Sequence, residues 1–102
     1  MKKQTFTTVE RGSNGEYQLV PVQGRAISAG GLGCFIYKRD KDRLWSVTEL
    51  TSGCMVATGL TQKSAIALAC ERVEKAGLEK TKELAACQAK RNATYNILAP
   101  VN

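Results

Sequence analysis

The chain has 102 residues, 43% hydrophobic and 24% charged, and a formal net charge of +6. That length suits one domain (1–102) with one modest core, and no apolar run approaches the length of a membrane-spanning helix. The chain contains no histidine, which removes the commonest general base and metal ligand and argues against an enzyme, while a pI near 9.4 favours nucleic acid or an acidic protein surface as partner.

The basic excess is evenly spread. Residues 1–60 hold eight Lys and Arg against five Asp and Glu, and residues 61–102 hold seven against four, so there is no basic tail. Met1-Lys2-Lys3 is followed by polar Gln4-Thr5 where a signal peptide needs an apolar stretch. A cytoplasmic location is expected.

Residues 4–22 read as a hairpin. Gln4 to Glu10 alternates weakly, Asn14-Gly15 is a strong hairpin-turn signal because both residues tolerate positive φ, and Glu16 to Val22 forms the return strand. Pro21 cannot donate to a ladder, so it marks an edge or an end. Residues 23–33 are rich in glycine and read as a loop. That loop leads into a strand and not into a helix, so it lacks the converging N–H groups of a phosphate cradle.

Residues 34–58 read as a three-stranded meander: Cys34 to Arg39, the charged turn 38–43, Leu44 to Leu50, a turn at Thr51-Ser52-Gly53, and Cys54 to Thr58. Thr61 is a good N-cap. Ile66, Ala69, Cys70 and Val73 recur on one face of a helix over 62–76, and Gly77 sits where a left-handed cap would end it. A second helix, 78–91, has only a thin stripe of Leu78, Thr81, Leu84, Ala85 and Gln88. The two stretches make either one helix kinked at Gly77 or two. The tail 95–102 is apolar enough to dock. The expected fold is α+β, with an antiparallel sheet of about five strands packed on one or two C-terminal helices.

The cysteines at 34, 54, 70 and 87 form no C-x-x-C pair. A zinc site would require four thiolates converging from four elements, so they read as small buried side chains. No metal or cofactor is expected.

Alternation puts Cys34, Ile36 and Lys38 on one face of the first meander strand, and Phe35, Tyr37 and Arg39 on the other. If the helix covers the first set, the second shares the opposite face. That face either lies open beside Lys38, Arg39, Lys41 and Arg43, as a nucleic-acid surface would, or is covered by the hairpin 4–22, making Phe35 and Tyr37 core. Trp45 is expected inside. The strand-strand-strand-helix order of residues 34–76 resembles AP2-like and integrase arm-type DNA-binding domains. That resemblance implies a sheet that enters the major groove with Arg and Trp touching DNA.

Two functions follow. One is a non-enzymatic nucleic-acid-binding module using Phe35, Tyr37, Lys38, Arg39, Lys41 and Arg43. The other is a small protein-binding inhibitor or accessory factor from a mobile element. Either leaves room for a homodimer through an edge strand or helix 78–91.

Overall fold

The computed structural model describes residues 3–11, 17–40 and 42–94. It is an α+β fold: a five-stranded antiparallel sheet followed by two helices. The strands are β1 (Gln4–Arg11), β2 (Tyr17–Ala29), β3 (Leu32–Lys38), β4 (Trp45–Glu49) and β5 (Met55–Gly59), and the helices are α1 (Gln62–Ala76) and α2 (Leu78–Thr94). The sheet runs β1-β2-β3-β4-β5. No helix among the described residues is long and apolar enough to cross a membrane. The Asn14-Gly15 turn and the tail 95–102 lie outside the described residues.

One face of the sheet packs on α1. Ile36 of β3, Val47 of β4 and Ala57 of β5 stand in register across three strands, and all three are buried under Ala65, Ala69 and Val73. Alanines at 65 and 69 let the helix lie close to the sheet. Gly59 lets the chain turn into it, because a Cβ there would meet Ser64 Oγ at 2.5 Å and Ala65 N at 2.7 Å. Thr61 caps the helix as expected: its hydroxyl accepts from Ser64 N–H at 3.1 Å, and Ser64 Oγ accepts from Thr61 N–H at 3.1 Å. The buried stripe is Ala65, Ala69 and Val73, with Ile66 and Cys70 half-buried beside it.

The expected loop at 23–33 is a strand for most of its length. β2 continues to Ala29, and only Gly30 and Gly31, both at positive φ, make the turn. Between the glycines, Arg25, Ile27 and Ala29 alternate with Ala26 and Ser28, and Ile27 and Ala29 belong to the core.

β2 is shared between two partners. Residues 17–24 pair with β1, whereas Arg25–Ala29 pair with β3. The bend falls at Gly24, where a Cβ would come within 2.5 Å of the Ile36 carbonyl oxygen. Pro21 therefore lies where β2 has a neighbour on one side only.

The bend folds the β1–β2 hairpin across the face of the sheet away from α1. Phe6 stacks on Phe35 with ring centroids 4.6 Å apart and 3° between the planes. Phe35 stacks in turn beside Tyr37 at 5.9 Å. The far end of β1 is fastened at the β4–β5 turn, where Gly53 C=O accepts from Val9 N–H at 2.8 Å and from the Thr8 hydroxyl at 3.2 Å. Ser46 and Thr48 share a buried hydroxyl hydrogen bond at 3.1 Å. The Glu49 carboxylate accepts from the N–H groups of Thr51 and Ser52, both at 2.7 Å, and so closes that turn.

Residues 62–94 form two helices. Gly77, with φ 87° and ψ 133°, donates its N–H to Val73 C=O at 2.8 Å and breaks the ladder. Leu78 then packs against the core, while Leu84 is 59% exposed.

Candidate functional site

The same bend creates a groove. Past Gly24, β2 leaves β3, so Val20–Gln23 diverge from Ile36–Arg39. The β2–β3 ladder ends at the Arg25–Ile36 pair. The wedge between the strands holds about 860 Å³, and Trp45 and Gln62 of α1 also line it. Among the described residues, Lys3, Arg25, Lys38 and Arg39 line it against one carboxylate, Asp40.

Each of these side chains is placed by a specific element. Arg25 starts the β2–β3 ladder, and its guanidinium donates to Gln62 Oε1 at 2.9 Å, tying the groove wall to the start of α1. Lys38 and Trp45 are paired across β3 and β4, and the Lys38 ammonium lies 5.8 Å from the Trp45 ring centre. Trp45 is half-buried, with one side against the core and one towards the groove. Arg39 is more constrained. Its guanidinium pairs with Asp42 at 3.0 Å and reaches Met55 Sδ at 3.5 Å.

The residues expected from sequence divide accordingly. Phe35 is fully buried and Tyr37 is 7% exposed, so the aromatic face is core, covered by the hairpin carrying Phe6. The sheet therefore has no open three-stranded face to enter a major groove in the manner of AP2-like or integrase arm-type domains. Tyr37, Lys38 and Arg39 line the groove, Tyr37 with only its small exposed part. Arg43 is exposed in the β3–β4 turn at φ 63°, and Lys41 lies outside the described residues.

Lys3, Arg25 and Trp45 join the site without having been singled out for it. Arg25 was legible in principle, since it shares a strand face with Ile27 and Ala29. Trp45, expected inside, is half core and half groove wall. No family model matches the chain. No curated protein and no solved structure matches it either.

A second groove, about 520 Å³ and mainly apolar, lies between β5, α1 and α2, and it is lined by Met55 and Leu84 among others. Both side chains are more than half exposed. Two cysteines also line it, Cys54 and Cys87. All four cysteines of the chain are free thiols. Cys34 fits the expectation of a buried side chain, and Cys87 departs from it, being exposed on α2. Burial, with smaller contributions from Glu49 and Cys70, pushes the Cys34 thiol up to about 12 from 9.0, which leaves it protonated and unreactive at neutral pH.

Proposed function

We propose that this protein is a non-enzymatic nucleic-acid-binding module whose contact surface is the β2–β3 groove. The observation that carries the reading is the convergence of Lys3, Arg25, Lys38 and Arg39 beside the Trp45 ring, with Asp40 as the opposing carboxylate. Cations gathered along one groove raise a positive field there and attract polyanions, and lysine and arginine neutralise phosphates while an aromatic wall accepts a base or a sugar. The exposed Arg43 extends the basic surface along the adjoining turn.

The test is fluorescence anisotropy with labelled DNA and RNA at low salt. Lys38→Ala in the groove should weaken binding several-fold, and Lys82→Ala on α2 should leave it unchanged. Equal effects of the two substitutions would remove the groove from the account.

A second reading rests on the other groove. Met55 and Leu84 expose apolar surface on its facing walls, as protein-docking sites do, which favours a small protein-binding factor. A complex with a cellular protein that survives nuclease treatment and is lost on Leu84→Glu would favour this reading.

A further inference from the structure

We infer that the groove takes a single strand of nucleic acid and not a duplex, with Trp45 as the stacking platform for a base. This inference rests on the nucleic-acid reading of the groove and names its ligand. A duplex is read by something that protrudes, since the major groove, about 12 Å wide, admits a helix or a two-stranded ribbon. Neither helix offers that. The exposed charges of α1 mix Lys63, Arg72 and Lys75 with Glu71 and Glu74, and those of α2 mix Lys80, Lys82 and Lys90 with Glu79 and Glu83, so neither helix presents a purely basic face to phosphates. The ribbon tip at the β3–β4 turn carries Asp40 and Asp42 among its cations, and Asp42 already holds Arg39 at 3.0 Å.

Lys3, Arg25 and Lys38, which form no ion pair among the described residues, line a wedge together with the tryptophan and one carboxylate, Asp40. A single strand can enter such a wedge and turn a base out of line to stack, whereas paired bases cannot. The position of Lys38 adds a second argument. Its ammonium is 5.8 Å from the Trp45 ring centre, at the long end of the cation–π range and exposed, where the attraction is weak. A base stacked on the indole would replace that contact with a stronger one and leave the ammonium beside the strand's phosphates.

Trp45 is the sole tryptophan of the chain, so its emission reports the groove without interference. The full chain is titrated with a 12-nucleotide thymidine strand, the matching uridine strand and a 12-base-pair duplex, following both anisotropy and tryptophan emission. The expected result is quenching by either single strand and at least 10-fold tighter binding of the strands than of the duplex. Trp45→Leu should lower strand affinity roughly 5- to 150-fold, the range of base–aromatic stacking, and Trp45→Phe should restore most of it. Duplex bound as tightly as single strand, or strand bound without quenching, overturns the inference while leaving the nucleic-acid reading in place. No binding of any of the three at low salt overturns both.

Discussion

Phe6 lies flat on Phe35, with 3° between the rings and centroids 4.6 Å apart, and this one stacking contact decides which surface of the protein is available. With Phe6 in place, Phe35 and Tyr37 are core, and the accessible basic surface moves from the sheet face to the edge where β2 leaves β3. Phe35→Ala should cost about 3–5 kcal/mol, the usual range for a buried phenylalanine. Phe6→Ala, at a half-buried ring, should cost about 1–3 kcal/mol. Urea unfolding checks both, and Phe6→Ala should also raise binding of an apolar dye as Phe35 is uncovered.

The bend that brings Phe6 over Phe35 depends on Gly24. Gly24→Ala would put a Cβ 2.5 Å from the Ile36 carbonyl oxygen and 3.2 Å from Tyr37 Cβ, and the nearest atom is backbone, which leaves little room to relax. A loss of about 1–3 kcal/mol is expected. The affinity for nucleic acid should fall with it, because the same bend opens the groove. Thermal melts together with anisotropy measure the two effects.

How much of this was legible in the chain varies by residue. The meander and α1 were readable because their signals are local: alternation over 34–58, the Thr61 cap, and the spacing of Ala69 and Val73. The second half of β2 was hidden because Gly24 and Gly30-Gly31 bracket it, and glycines at both ends of a five-residue strand look like a loop. The cover over Phe35 was not legible. It depends on how far β2 turns at Gly24 and on β1 reaching Gly53, a contact 45 residues away from Thr8. The site followed the same division, with Lys38 and Arg39 readable from a charged turn while Lys3, Arg25 and Trp45 converge only once the bend exists.

Arg43 occupies φ 63°, a region that costs a side-chain-bearing residue about 1–2 kcal/mol relative to ordinary backbone. Glycine would relieve it. Arg43→Gly should therefore raise the unfolding free energy by up to about 1 kcal/mol while weakening nucleic-acid binding, and opposite signs in the two measurements would mark Arg43 as retained for contact. A variant that gains stability and binds unchanged would show the side chain to be dispensable.

The thiols should separate cleanly by reactivity. Cys87, exposed on α2, should react with a disulfide reagent at once, and Cys34 only on unfolding. The Cys34 pKa is raised to about 12, so the folded state holds its proton over a range in which the unfolded chain releases it. This contribution is flat below pH 9 and lowers stability as pH rises from 9 towards 12. Urea midpoints at pH 8 and pH 11 should differ less in Cys34→Ala than in the wild type.

Whether the β2–β3 groove neutralises phosphates is read most directly from the salt dependence of binding. With Lys3, Arg25 and Lys38 each meeting one phosphate, log K should fall linearly with log salt at a slope of about −2 for a single strand, and Lys38→Ala should make that slope shallower by about 0.7. A slope near zero, or one that Lys38→Ala leaves unchanged, would contradict the account.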